Sequence, residues 1–120
     1  MTLASLPDIV NVDNALVRRG RFLTTSFVVG VGDTDWLIEI ERGRIAAVTS
    51  DPPLMASAQF TIRAPDSAWT AFWQTLPRPG FHDIFAMTKS GTAVIEGDFH
   101  PFMANLRYFK ELLAAPRAAG

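Results

Sequence analysis

The sequence predicts a two-layer α+β fold, in which a five-stranded, mainly antiparallel sheet carries its helices on one face. Three observations predict it. Apolar residues recur with period two through most of residues 21–64. From residue 65 onward they recur at helical spacing, interrupted once by a strand-like stretch at 92–96. Nine of the 13 aromatic residues fall between Trp69 and Phe109, on segments separate from the strands. Strands grouped before aromatic helices form two layers rather than alternating crossovers.

Residues 1–20 place Leu6, Ile9, Val10, Leu16 and Val17 among Asp and Asn and end Arg18-Arg19-Gly20, which predicts one or two short helices closed by basic residues and a glycine. In 21–31, Leu23, Thr25, Phe27, Val29 and Val31 alternate with Phe22, Thr24, Ser26 and Val28, giving a strand with one more apolar face. After the Gly32–Asp35 turn, Trp36, Ile38 and Ile40 alternate with Leu37, Glu39 and Glu41, so the acidic side faces water. Arg42-Gly43 reverses the chain tightly into 45–49, completing an antiparallel meander, and Asp51-Pro52-Pro53 breaks it. A fourth strand, 58–64, turns Phe60 and Ile62 inward.

Pro65-Asp66-Ser67 starts a helix over 66–76, with Asp66 expected as its cap and Trp69, Phe72, Trp73 and Leu76 on one face. A short helix over 81–89 follows, with Phe81, Ile84 and Phe85 together and Ser90-Gly91 as its stop. After the strand at 92–96, Asp98 is expected to cap a closing helix over 99–113, where Phe99, Phe102, Met103, Leu106, Phe109 and Leu113 make a broad apolar stripe.

Length and composition narrow the function. A chain of 120 residues is read as a single domain over 1–120. Its net charge of −1 supplies no long-range field for nucleic acid or an anionic membrane, so nucleic acid is not expected as a partner. The absence of cysteine removes thiolate chemistry and cysteine metal sites and gives no sign of an oxidising compartment. With no spanning apolar run and no basic-then-apolar leader, a cytoplasmic location is expected.

The order of elements, with the segments WLIEIERGRI at 36–45, FTIRAPDSAW at 60–69 and KSGTAVIEGD at 89–98, resembles the sterol carrier protein type 2 family of lipid-transfer domains over about residues 20–113. The resemblance implies an apolar cavity enclosed between sheet and helices, holding a fatty acid, acyl chain or sterol. It implies non-catalytic binding or transfer, with no cofactor and no metal. Carried onto this sequence, the cavity is expected to be lined by Trp69, Phe72, Trp73, Phe81, Ile84, Phe85, Met87, Phe99, Phe102, Met103 and Leu106. The chain is less basic than the animal transfer proteins and lacks their peroxisomal ending, so ligand and donor membrane stay open. Partners expected are a hydrophobic small molecule and, transiently, a membrane surface.

The residues admit two other readings. His82, Asp83 or His100 could act as acid or base in a small cone-like α+β enzyme working on a hydrophobic substrate, although neighbours on a helix point about 100° apart and do not form a ready pair. Alternatively an apolar surface around the outward Phe22 and Leu37 could serve a dimerisation or accessory module. Arg63, Arg78 and Arg107 are candidate anchors for an anionic head group, and otherwise surface charges. The cavity mouth is expected between the 81–89 helix and the closing helix, with Met87 and Met103 as adaptable lining and the short helix as a movable lid.

Overall fold

The computed structural model describes residues 3–51, 58–74, 77, 79–81, 84–98 and 100–119; for Phe85 and residues 116–119 it describes only the backbone. A 3₁₀ turn, Leu3–Ser5, leads into helices α1 (Leu6–Val10) and α2 (Asn14–Arg19). Strands β1 (Thr25–Val31), β2 (Thr34–Glu41), β3 (Arg44–Ser50) and β4 (Phe60–Ala64) precede α3 (Asp66–Phe72) and α4 (Ile84–Lys89). Strand β5 (Val94–Gly97) and helices α5 (His100–Ala104) and α6 (Leu106–Ala119) close the chain.

The five strands form one sheet in the order β3-β2-β1-β4-β5, so the α+β class holds. β1–β2, β2–β3 and β4–β5 run antiparallel, while β4 lies parallel to β1 with Phe27 opposite Phe60 and Val29 opposite Ile62. A parallel neighbour requires the chain to cross from one side of the sheet to the other. It does so between the end of β3 at Ser50 and the start of β4 at Phe60; Pro52 and Pro53, expected to break the ladder, lie outside the described residues.

The reversal between β2 and β3 is tight because both of its residues take positive φ, Arg42 at 52° and Gly43 at 82°, matching the twist of the flanking strands. Gly43 lies directly against the backbone of Val17 and Gly20, where a Cβ would meet the Gly20 carbonyl oxygen at 2.9 Å. This presses the hairpin onto the end of α2. Above it the buried Tyr108 of α6 donates its hydroxyl proton to the Gly43 carbonyl at 2.7 Å. On the outer edge, the Asn11 side chain accepts from the Ile45 N–H at 2.8 Å and donates to the Ile45 carbonyl at 3.0 Å. One amide thus occupies the backbone groups with which another strand would pair.

The inward faces read from the alternation are the inward faces observed. Phe27, Val29, Ile38, Ile40, Ile45, Phe60 and Ile62 are buried with Trp69, Phe72, Phe102, Phe109, Leu112 and Leu113. Phe27 and Phe60 stack at 5.1 Å between centroids, and Phe109 meets their edges at 5.3 and 5.5 Å. Phe102 joins at 5.9 Å from Phe60 and 5.5 Å from Phe109.

Several boundaries differ from expectation. The helix expected over 66–76 ends at Phe72, and that expected over 81–89 begins at Ile84. Pro65, rather than Asp66, takes the N-cap position of α3, and no side chain bonds there; Asp66 is the first helical residue. Asp98 does accept from the His100 N–H, at 3.2 Å. The closing helix is divided at Asn105, whose side chain bonds the Pro101 carbonyl at 3.0 Å and so satisfies a group at the break. Met103 is 47% exposed because it follows Phe102 by about 100° around the helix. Leu37, expected outward and solvated, is only 8% exposed: it points outward between its register partners Val28 and Thr49, which cover it. Phe22 is outward and 89% exposed.

Tyr108 is the chain's single tyrosine, and burial raises its pKa well above the usual value. A phenol with a raised folded-state pKa contributes stability that is complete below the unfolded value of about 10 and is lost as pH rises above it. Absorbance titration is expected to show no phenolate formation near pH 10 in the folded protein and a return to about 10 in urea. Tyr108→Phe should remove that alkaline loss and cost about 1–3 kcal/mol at neutral pH by leaving the Gly43 carbonyl without its side-chain partner, measured by urea denaturation.

Candidate functional site: an apolar cleft at the β5 edge

Two of the four exposed large apolar side chains among the described residues, Val94 and Met103, line one cleft. Three elements and a turn build it. The C-terminal end of α4 contributes Thr88, the following turn contributes Gly91 and Ala93, edge strand β5 contributes Val94 and Ile95, and α5 contributes Phe102 and Met103. Its volume is about 370 Å³.

Each wall has a local cause. α4 stops at Ser90-Gly91: the Ser90 N–H donates to the Ala86 carbonyl at 3.1 Å, and Gly91, at φ 83°, donates to Thr88 at 3.2 Å. The Ala93 N–H then returns to the Met87 carbonyl at 3.0 Å, which draws the start of β5 under the helix end. β5 pairs with β4 on one side only, Ile62 opposite Ile95 and Arg63 opposite Val94, so its other side is a free edge. Ile95 turns towards the core, while Val94 points away and is 51% exposed. At the far end Gly97, at φ 88°, passes close over the Gln59 carbonyl, and the Asp98 N–H donates to that carbonyl at 2.8 Å. The chain is thereby turned into α5, which brings buried Phe102 and half-exposed Met103 to the cleft.

The described lining is uncharged, with the Thr88 hydroxyl as its one side-chain polar group. Such a surface offers dispersion and burial to an apolar ligand and no proton donor or acceptor of catalytic strength. His100 is exposed at the start of α5, and His82 and Asp83 lie outside the described residues. Among the described residues no group of three or more His, Asp or Glu is placed to hold a metal ion, and no helix is long and apolar enough to cross a membrane.

Of the expected cavity residues, Phe102 and Met103 line the cleft. Met87 and Ile84 are fully buried on α4, and Leu106 and Phe81 are partly buried against the core. Trp69 and Phe72 are fully buried in α3. The Trp69 indole donates to the Gly30 carbonyl at 2.9 Å, and the partly buried Trp73 donates to the Leu113 carbonyl at 2.9 Å while stacking on Trp69 at 5.1 Å. These polar tips join α3 to the sheet and to α6. Phe99 and the Phe85 side chain lie outside what is described. The β5 wall, Ala93 to Ile95, was not among the expected lining; alternation marks the stretch as a strand, and the sheet order puts it at the edge beside the cleft.

Of the candidate head-group anchors, Arg63 is engaged by Asp35 at 2.8 Å, and that hydrogen bond is the main cause of its raised pKa. Arg107 pairs loosely with Glu111 at 3.6 Å, and Arg78 lies outside the described residues.

No protein-family sequence model and no curated protein sequence matches the chain. Solved structures do. A crystal structure of sterol carrier protein 2 superposes with a TM-score of 0.75 at 15% identity, covering 94% of this chain and 91% of that one. A Thermus thermophilus protein described as possibly a sterol carrier protein gives 0.68 at 12% identity, over 92% and 82%. The stereoselective inverting sec-alkylsulfatase Pisa1 from Pseudomonas gives 0.59 at 13% identity; 96% of this chain matches 16% of that enzyme. At these identities the likeness speaks for the fold, and the chain has the fold of sterol carrier protein 2.

Proposed function

We propose that the chain is a non-catalytic, intracellular carrier that takes up a hydrophobic ligand, such as a fatty acyl chain or a sterol, with the cleft beside β5 as the point of entry. The observation that carries this reading is that exposed Val94 and Met103 line one uncharged recess together with Phe102. Solvating that surface is unfavourable, and covering it with hydrocarbon relieves the cost. A volume of about 370 Å³ lies within the range of small-molecule sites. A 16-carbon chain gains about 0.8 kcal/mol per methylene buried, about 12 in all if fully enclosed, and loses several to immobilisation, which leaves room for micromolar binding without a charged anchor. The names borne by the structural neighbours support the same ligand class. Met103 suits the lining, since an unbranched thioether adapts to ligands of different shape.

Native mass spectrometry of the purified protein, with and without added fatty acid or sterol, tests the reading: a mass increment matching one lipid is expected, and a protein that neither retains nor acquires lipid would sink it. Met103→Glu should change stability by no more than about 0.5 kcal/mol, because the side chain is half exposed. It should nevertheless weaken a fluorescent acyl probe markedly by placing a charge against hydrocarbon. Phe102→Ala should cost about 3–5 kcal/mol, because the ring belongs both to the cleft and to the aromatic cluster. In whatever fraction folds, the enlarged cleft should shift preference towards bulkier lipids in competition binding. An acyl probe held with wild-type affinity by Met103→Glu, together with an unchanged lipid ranking in Phe102→Ala, places the ligand elsewhere.

A further inference from the structure

The net charge of −1 conceals an uneven distribution. Arg18, Arg19 and Arg21, all exposed, line one recess of about 600 Å³ with Asn14 and Ala15, at the end of α2 and the start of the loop into β1. Two of them complement the end of a helix, and that alone would be an ordinary use of arginine. The third is held at the same helix end: Arg21 folds back and donates from Nη1 to the Arg18 carbonyl at 2.8 Å, in the last turn of α2, and lines the same recess. Arg19 is matched by Glu111 at 3.0 Å, whereas among the described residues Arg18 and Arg21 have no carboxylate within 4 Å. Two guanidinium groups without a carboxylate partner among the described residues therefore line one recess, where an anion would be attracted by both. Arg21 also lies over the Phe22 ring, 4.6 Å from its centroid, and that ring is 89% exposed.

We propose that this recess binds a phosphate-bearing group. Two such arginines match the roughly −1.5 to −2 charge of a phosphomonoester at neutral pH, where a single carboxylate would neutralise only one. The forked donors of arginine fit phosphate oxygens in pairs. Phe22, adjoining the recess, supplies an apolar face for whatever carries the phosphate. The group can belong to a free phosphorylated metabolite or to the head group of a phospholipid, and the site does not depend on the β5 cleft having a ligand.

Glycerol phosphate, titrated calorimetrically at low salt, and phosphatidylcholine vesicles doped with phosphatidic acid, in flotation, present the same phosphomonoester from the two sources. At least one should bind, with binding lost at high salt; binding to both assigns a free metabolite as sufficient, and binding to vesicles alone assigns the lipid head group. At about fivefold per basic residue near a charged surface, Arg18→Gln/Arg21→Gln should weaken vesicle binding about 25-fold. Lys89→Gln, which does not line the recess, should leave it unchanged. Phe22→Ala should weaken binding several-fold. The double variant should melt with the wild type and keep wild-type affinity for an acyl probe, so failure here is separable from failure of the cleft reading. The proposal is overturned if neither probe binds, if acetate or undoped vesicles bind equally well, or if the double variant binds like the wild type.

Discussion

The arrangement depends on one packing constraint: Phe27 and Phe60 stacked across the parallel β1–β4 pair, with Phe109 set edge-on against both, and Phe102 edge-on to Phe60 and tilted against Phe109. Four rings at 5.1 to 5.9 Å fix the separation and angle between sheet and closing helices, because offset and edge-on aromatic contacts are directional as well as apolar. They occupy the centre of the two layers. Phe102 is at the cluster's border, and beyond it the layers part at the β5 edge, where the cleft begins.

The two edges of the sheet are treated differently, and that difference bears on function. At β3 the Asn11 amide occupies the Ile45 backbone groups. The Arg42-Gly43 turn is held between α2 and the Tyr108 hydroxyl. At Ile45 that edge offers nothing for another strand to pair with. At β5 the strand is four residues long and carries apolar side chains on both faces, Ile95 inward and Val94 outward. An edge left open in this way is a liability unless something covers it, and α5 with its bordering cleft is what lies there.

Much of the fold was legible in the sequence, because alternation reports directly which side of a strand is buried: Trp36, Ile38 and Ile40 against Glu39 and Glu41 is one case. Leu37 shows the limit, since its burial depends on Val28 and Thr49, neighbours that register alone brings together. The parallel pairing of β4 with β1 carries no local signature either, being a property of the crossover. Helix ends moved where proline or asparagine chemistry competes with an apolar period that would otherwise continue, as at Asn105. The cleft was legible only in part. Phe102 and Met103 stand out by residue type, whereas Ala93, Val94 and Ile95 matter because the sheet order leaves their strand at the edge. Net charge gave no hint of the α2 recess, since a sum carries no positions, and Arg18 and Arg19 stood out in the sequence only as a helix end.

The central claim is that a hydrophobic ligand enters beside β5, at the cleft lined by Val94, Phe102 and Met103. The most direct test is a heteronuclear NMR titration of the labelled protein with a fatty acid. The account predicts shift changes concentrated on Thr88, Gly91, Ala93 to Ile95, Phe102 and Met103, with Ile45 and Asn11 at the closed edge unmoved. Saturable changes centred on the β3 edge or the α2 recess, with the β5 cleft silent, would contradict it.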